Sequence, residues 1–174
     1  MMFKKYVKIP EERLRLLEKN KEMIEKIQKE LNVKIGISKE DGISIEGDDG
    51  LKLMKAEQII VAFGRGFDPE TALLLLDDDY VLDIINVKDY ANSRNRQIEL
   101  KGRVIGEKGK SKKMIEDMTH TKISVYGKTI SIIGKLEDVQ IARRAVEMLL
   151  EGRMHTSVMR FLEIEKSKRA MFWM

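Results

Sequence analysis

The stretch Val104-Ile105-Gly106-Glu107-Lys108-Gly109-Lys110-Ser111-Lys112-Lys113-Met114-Ile115 decides the fold. Two apolar residues lead into a four-residue loop with a glycine at each end, and apolar residues then recur at helical spacing. This pattern predicts a helix, a tight turn and a second helix. Glycine permits positive φ and the close approach of another backbone, and the first N–H groups of a helix have no partner inside it.

The charge around this loop indicates what binds there. From Lys101 to Lys113 there are six basic side chains and one acidic side chain, Glu107. A helix start with such an excess of positive charge favours an anion, and phosphate above all. We therefore expect the N–H groups of residues 107–110 to face phosphate oxygens.

Length and composition limit the remaining possibilities. A chain of 174 residues forms one ordinary domain or two small ones. Charged residues make up 36% of it, yet the net charge is only +4, so the positive charge is local. The absence of cysteine excludes disulfides, thiol nucleophiles and thiolate metal sites. No apolar run is long enough to span a membrane and no secretory signal opens the chain, so we expect a cytoplasmic protein.

Residues 1–64 predict one small domain. Phe3–Ile9 alternates as a strand, and residues 11–31 have helical spacing with an interruption at 18–21. A hairpin follows over residues 33–46, and a helix over Leu51–Phe63 is ended by glycine. Residues 65–95 predict a structured connector, since a helix capped by Asp68 and the apolar segment Val81–Val87 would not remain in a solvated linker.

The first pattern then returns over residues 96–152. We expect a strand at Gln97–Leu100, the glycine loop between two helices, a hairpin of Lys122–Tyr126 and Thr129–Ile133, and a helix at Leu136–Leu150. Local sequence echoes of the first half lie 87 to 91 residues apart. Such a repeat indicates two copies of one small domain. Residues 153–174 complete the chain as a C-terminal helix and tail.

The loop carries a family resemblance. Ile105-Gly106-Glu107-Lys108-Gly109, with the hairpin and long helix behind it, resembles the Ile-Gly-x-x-Gly core of a type I K-homology (KH) RNA-binding domain. Gly64–Glu70, Gly102–Gly106 and Val125–Thr129 resemble archaeal KH proteins related to the small-subunit ribosome assembly factor known as the partner of the Nob nuclease. The resemblance covers residues 6 to 165. It implies an α+β fold of tandem type I KH domains (β-α-α-β-β-α twice), each a three-stranded antiparallel sheet covered by helices.

The resemblance also implies a function and partners. It implies a protein that is not an enzyme, needs no metal or cofactor, and binds single-stranded ribosomal RNA near the 3′ end of the small-subunit RNA. The implied protein partners are the alpha subunit of initiation factor two and a Nob-type nuclease. The implied RNA-binding residues are Arg103, Val104, Ile105, Gly106, Glu107, Lys108, Gly109, Lys110, Ser111, Lys112, Lys113 and Ile123, with Arg153, His155 and Arg160 as a supplementary contact.

Two points within this interpretation stay open. KH domains clamp about four unpaired nucleotides on an apolar floor. Ile105, Ile115 and Ile123 are candidates for that floor, but ordinary core positions explain them equally well. In the first copy, Leu17–Glu22 stands where the loop should be and contains no glycine. We therefore expect this copy to act mainly as a scaffold or a protein-binding surface.

Two other functional classes compete with RNA binding. In a protein-interaction adaptor, the first copy and the connector would hold a partner and the RNA contact would be secondary. A metal-dependent nuclease rests only on Asp77-Asp78-Asp79, a run far more common as an acidic turn. His120 and His155 have no nucleophile or carboxylate at a catalytic spacing. The sequence does not decide whether the Phe172–Trp173 end is docked.

Overall fold

The structure is a computed structural model that describes residues 1–172, so Trp173 of the Phe172–Trp173 end lies outside the described residues. The chain divides into two compact units, and the boundary lies between Asp78 and Asp79. Each unit is a mixed α+β structure with one three-stranded antiparallel sheet. The α+β class predicted from the sequence is thus confirmed.

The first unit contains three strands and four helices. They are β1 (Phe3–Val7), α1 (Glu11–Lys19), α2 (Lys21–Leu31), β2 (Lys34–Ser38), β3 (Gly42–Gly47), α3 (Gly50–Gly64) and α4 (Pro69–Leu73). The sheet has the order β1-β3-β2. Val7, Ile43 and Ile45 are buried, and the alternation along each strand places them on one face of the sheet. That face packs against α3.

Helix boundaries in this unit follow the capping residues in the sequence. Asn20 separates α1 from α2, and its side chain accepts a hydrogen bond from the Met23 N–H at 3.0 Å. Asn32 ends α2 in the left-handed conformation, with φ 51°. Asp68 caps α4 by accepting from the Thr71 N–H at 2.7 Å. The predicted interruption near residues 18–21 and the helix start at Asp68 are both confirmed.

The second unit has the same order of strands and α-helices, and its last helix is much longer than α4. It contains β4 (Tyr80–Asn86), α5 (Arg94–Ile105), α6 (Lys110–Thr119), β5 (Lys122–Tyr126), β6 (Thr129–Lys135), α7 (Leu136–Leu150) and α8 (His155–Phe172). Its sheet has the order β4-β6-β5, with a two-residue turn between β5 and β6. In both units the last strand of the chain order is therefore central in the sheet.

The first strand of the second unit differs from the prediction. Gln97–Leu100 is not a strand but part of α5, whose start is capped by the Ser93 hydroxyl accepting from the Arg96 N–H at 3.2 Å. The edge strand is β4, which pairs along its whole length with β6. Residues 65–95 are consequently not a separate connector, since α4 belongs to the first unit and β4 to the second.

A charged network fixes β4 to α7. Arg143 Nη1 donates to Asp83 Oδ1 at 2.5 Å, and its Nε lies 3.6 Å from Glu147 Oε2. Tyr90 Oη donates to Glu147 Oε2 at 3.3 Å. Burial, together with the neighbouring Glu147 carboxylate, raises the pKa of Tyr90, so the phenol keeps the proton that it donates. The hydrogen bond to Asp83 raises the pKa of Arg143.

Helix α8 packs on the core of the second unit. Val158 and Leu162 are fully buried and belong to the cluster that includes Leu100, Ile115 and Val146. Ile164 lies on the opposite face of α8 and is 48% exposed. The predicted docking of the C-terminal helix is confirmed. Over residues 1–172, none of the helices has the length and apolar character that a membrane crossing requires.

Replacing Leu162 by Ala tests the contribution of α8 to stability. Because the side chain is buried, the change should lower the free energy of unfolding by about 2–5 kcal/mol. Urea denaturation of the full chain measures this loss. Ile164→Ala is the matched control on the same helix and should cost less than about 1 kcal/mol. Equal, small losses for the two variants would show that α8 is not part of the core.

Candidate nucleic-acid interface

The loop between α5 and α6 has an unusual backbone conformation. Gly106 and Gly109 both have φ 75°, and Lys108 between them has φ 55°. The other described non-glycine residues with positive φ, Asn32 and His120, end helices. A left-handed residue other than glycine costs about 1–2 kcal/mol, and such strain is frequent at functional sites.

The two glycines are required for different reasons. An added Cβ at Gly106 would lie 2.3 Å from Ser111 Oγ and 2.7 Å from the Ser111 backbone nitrogen. An added Cβ at Gly109 would have no atom within 4 Å. Gly106 therefore lets the end of α5 touch the start of α6, whereas Gly109 supplies only the positive φ.

The loop presents backbone N–H groups to a ligand. The Gly109 N–H donates to the Gly106 carbonyl at 3.1 Å, and the Lys110 N–H donates to the Glu107 carbonyl. Within residues 1–172, the N–H groups of Glu107 and Lys108 have no such acceptor, and no side chain caps α6. Of the four N–H groups expected to face phosphate at residues 107–110, only those of Glu107 and Lys108 are therefore open to a ligand.

Ion pairs neutralise part of the positive charge around the loop. Lys112 lies 3.5 Å from Glu116, and Lys113 lies 3.5 Å from Asp117. Lys108 and Lys110 are exposed and form no ion pair with any described residue. These two lysines can therefore meet a phosphate without first breaking a contact.

Arg103 is engaged elsewhere, although it was predicted to contact RNA. Its Nε donates to the Leu149 carbonyl at 3.0 Å, and its Nη2 donates to the Arg153 carbonyl. The first acceptor lies at the C-terminal end of α7, and the second lies in the short segment between α7 and α8. His155 Nε2 lies 3.1 Å from the carbonyl oxygen of Arg103. The guanidinium thus joins α5 to α7, so two of its nitrogens are engaged within the protein.

Most of the predicted groove floor belongs to the core. Val104, Ile115 and Ile123 are at most 4% exposed, so their side chains are not available to a ligand. This burial favours the core interpretation of Ile115 and Ile123 over their role as groove floor, and it keeps the side chain of Val104, a predicted RNA-binding residue, in the core. Ile105 alone among them is accessible, at 37% exposure.

The accessible apolar face lies on α5. Ile98 is 53% exposed and lies seven residues, or two turns, before Ile105. Between them an added Cβ at Gly102 would have no atom within 4 Å, so a ligand can approach the helix backbone there. Lys101 Nζ donates to the Gly127 carbonyl at 2.8 Å, which places the β5–β6 turn across from this face. Sequence reasoning missed Ile98 because its segment was assigned to a strand.

Strand β5 contributes an open backbone edge. Because β5 is the outer strand, half of its N–H and C=O groups point away from β6. The Ile123 N–H donates to Glu116 Oε2 at 2.8 Å, which covers one of these groups. The groups that remain can hydrogen-bond to the edge of a base lying on the α5 face.

A second groove continues from the loop onto α8. It has a volume of about 480 Å³ and is lined by Lys110, Ser111 and Met114 of α6 and by His155, Met159 and Arg160 of α8. The structure thus places His155 and Arg160, two of the three residues predicted to make a supplementary RNA contact, next to the loop. The side chain of the third, Arg153, lies 3.7 Å from Glu151 outside this groove.

The first unit has no such loop. Asn20 alone joins α1 to α2, and Leu17 is fully buried. A groove of about 570 Å³ lies between α1 and the β2–β3 hairpin, and it is lined by three basic and three acidic side chains: Lys8, Arg15, Lys39, Glu11, Glu18 and Glu40. Its balanced charge gives no preference for phosphate.

The structure gives no support for a metal site at the aspartate run. The Asp78 carboxylate pairs with Lys55 Nζ. Across the part of the chain that the structure describes, no three histidine, cysteine, aspartate or glutamate side chains lie together as metal ligands.

Known proteins resemble this chain over nearly its whole length. Residues 81–167 match the family model for the second KH domain of Pno1, described as a eukaryotic type KH-domain (KH-domain type I). A KH domain-containing protein of Methanocaldococcus jannaschii is 48% identical over 95% of this chain and 76% of its own length. The pre-rRNA-processing protein pno1 of Aspergillus fumigatus is 36% identical over 58% of this chain and 41% of its own length.

Solved structures agree with these sequence matches. A protein in the crystal structure of an a/eIF2alpha–aDim2p–rRNA complex from Pyrococcus horikoshii superposes with a TM-score of 0.86. It is 38% identical, and the match covers 97% of this chain and 96% of that one. The match thus covers most of the two archaeal relatives but less than half of the Aspergillus protein.

Alanine substitutions of the two glycines separate their roles. Gly109→Ala should lower the free energy of unfolding by about 1–2 kcal/mol, because only the positive φ is unfavourable. Gly106→Ala should cost more, because the new Cβ also collides with backbone and side-chain atoms of Ser111. Thermal denaturation of the two variants measures the difference. Equal losses would contradict the close contact between α5 and α6.

Proposed function

The chain belongs to the KH-domain family of archaeal Dim2 and eukaryotic Pno1 proteins, and we propose that it binds single-stranded ribosomal RNA as a non-enzymatic factor in maturation of the small ribosomal subunit. The backbone of the Gly106–Gly109 loop is the observation that carries this proposal. The N–H groups of Glu107 and Lys108 and the side chains of Lys108 and Lys110 have no partner among residues 1–172, and they lie beside an accessible apolar helix face. Two relatives support the proposal. The Pyrococcus protein was crystallised in a complex with ribosomal RNA, and the Aspergillus protein is a pre-rRNA-processing protein.

The geometry suggests how a strand of RNA is held. A phosphate would accept hydrogen bonds from the N–H groups of Glu107 and Lys108, and Lys108 and Lys110 would add charge. The sugar-phosphate backbone would pass over Gly102, where no side chain intervenes. Bases would lie on Ile98 and Ile105, with their edges towards β5. Arg160 and His155 would extend the contact along α8.

We infer that the first unit is a KH domain that has lost its loop, so that the chain is a tandem of two type I domains. Both units share the order strand, helix, helix, strand, strand, helix, and both sheets place the third strand at the centre. The balanced charge of the first unit's groove supports a role as scaffold or protein-binding surface. This surface is also what an adaptor function would use, which makes the adaptor our second candidate.

Two protein partners are part of the proposal. An alpha subunit of initiation factor two is supported by the complex of the Pyrococcus relative, which contains a/eIF2alpha. A Nob-type nuclease is suggested only by the family resemblance in the sequence.

Charge reversal in the loop tests the RNA site, and the first unit supplies the control. Replacing both Glu107 and Lys108 by Asp keeps both glycines but places two carboxylates where phosphate would bind. RNA affinity should fall at least tenfold, or about 1.4 kcal/mol. Replacing both Lys19 and Asn20 by Asp adds similar charge to the first unit and preserves the cap of α2, since Asp also accepts from the Met23 N–H. Its effect should be about twofold.

Fluorescence anisotropy with a single-stranded ribosomal RNA fragment measures both variants. If the first-unit variant loses as much affinity as the loop variant, both units bind RNA and the first is not degenerate. If neither loses affinity, the loop is only a turn, and the adaptor becomes the better proposal.

The kind of RNA provides a separate test. A groove that accepts splayed bases excludes a duplex, so unpaired RNA should bind more tightly than double-stranded RNA of the same length. With two to four phosphates neutralised, the logarithm of affinity should fall with the logarithm of salt concentration with a slope of about −1.5 to −3. Titrations at several salt concentrations measure this slope. Equal affinity for duplex and single strand would falsify the groove model.

A further inference from the structure

On the basis of the proposed function, we propose that Arg103 is a positioning residue for the glycine loop and not a ligand of phosphate. Its side chain fixes the end of α5 to the end of α7, and its carbonyl oxygen meets the start of α8. One residue thereby holds three helices together, three positions before Gly106. The loop takes its orientation from this arrangement.

The chemistry of the contact requires arginine. The last carbonyls of a helix have no partner inside it and carry partial negative charge, so a cation at the end of α7 is favourable. The planar guanidinium reaches two carbonyl oxygens at once, those of Leu149 and Arg153. A lysine ammonium is a point charge without this fork, so it cannot reproduce the paired contact.

Two contacts transmit the position of Arg103 to the loop. The Gly106 N–H donates to the Gly102 carbonyl at 2.8 Å, so α5 keeps its helical hydrogen bonds up to the loop. Gly106 then packs directly against Ser111 in the first turn of α6. A rotation of the α5 end would therefore move the N–H groups of Glu107 and Lys108 away from the phosphate position.

The same contact recurs in the first unit. Arg13 Nε donates to the Phe63 carbonyl at 2.8 Å, and its Nη2 donates to the Phe67 carbonyl at 2.7 Å. As in the second unit, the first acceptor is the penultimate residue of the long helix and the second acceptor lies four residues later. The arginine clamp is thus a feature of the fold that persists without a glycine loop. It supplies a matched control.

The experiment compares Arg103→Lys, Lys110→Gln and Arg13→Lys in the full chain. For each variant we measure affinity for a single-stranded ribosomal RNA fragment, its salt dependence, the melting temperature, and hydrogen exchange of the hydrogen-bonded loop amides of Gly106, Gly109 and Lys110. Arg103→Lys should weaken RNA binding about tenfold without changing the salt slope, and should accelerate exchange in the loop. Lys110→Gln should make the slope shallower by about 0.7, the value for one phosphate on a single strand.

Arg13→Lys separates positioning from general destabilisation. It should lower the melting temperature about as much as Arg103→Lys does, yet leave RNA affinity within twofold of the wild type. Wild-type affinity for Arg103→Lys would overturn the proposal, because charge alone would then suffice. A shallower salt slope for that variant, equal to that of Lys110→Gln, would also overturn it.

A milder variant covers the case in which Arg103→Lys does not fold. His155→Ala removes the contact between α8 and the Arg103 carbonyl at an exposed side chain. Because His155 also belongs to the proposed RNA contact, this variant is assayed by hydrogen exchange without RNA. Faster exchange of the Gly106, Gly109 and Lys110 amides supports the proposal, and unchanged exchange contradicts it. If the wild-type protein does not bind RNA, the proposed function fails, while the exchange measurements still decide whether Arg103 orders the loop.

Discussion

Each unit depends on one contact between an arginine and the end of a long helix. The carbonyls of Phe63 in α3 and Leu149 in α7 have no partner within their helices, and each accepts from the N–H group three residues later, that of Gly66 or Gly152. Arg13 and Arg103 add a second, charged donor to these carbonyls and also donate to the carbonyl four residues later. Because each arginine lies on the first helix of its unit, the contact also fixes that helix against the long third helix. In the second unit that contact determines where the glycine loop lies.

The glycine loop of the second unit has an unfavourable backbone conformation. Three of its four residues have positive φ, one of them a lysine, and Gly106 leaves no room for a side chain beside Ser111. This conformation costs free energy that the buried core of the unit must offset. The first unit avoids the cost by joining α1 to α2 through Asn20 alone. The two units thus keep the same order of elements and the same clamp, and they differ at the position where RNA is proposed to bind.

The sequence predicts those parts of the fold that are determined by residues close together in the chain. The break between the first two helices at residues 18–21, the Asp68 cap and the turn between Gly106 and Gly109 depend on local chemistry, and the sequence located all three. Strand β4 was missed because its partner β6 lies 43 to 55 residues later, and pairing over that distance leaves no local signal. The sequence analysis counted Lys112 and Lys113 in the positive charge around the loop, but both form ion pairs with carboxylates. The four-residue spacing of Lys112 and Glu116 already suggests such a pair. The role of Arg103 depends on acceptors 46 and 50 residues away, so only the structure could reveal it.

The two units differ in how the start of their second helix is capped. At the start of α2, the Asn20 side chain accepts from the Met23 N–H, so the chain satisfies its own helix end. At the start of α6, no side chain of the described residues takes this place, and Gly109 offers none. The Glu107 and Lys108 N–H groups, in the loop directly before α6, also have no acceptor among the described residues. The positive end of the helix field favours an anion at this position, and the phosphate proposed to bind there would be that acceptor. The two units thus differ at the same junction between helices: Asn20 caps α2 from within the chain, whereas the glycine loop leaves its donors open to a ligand.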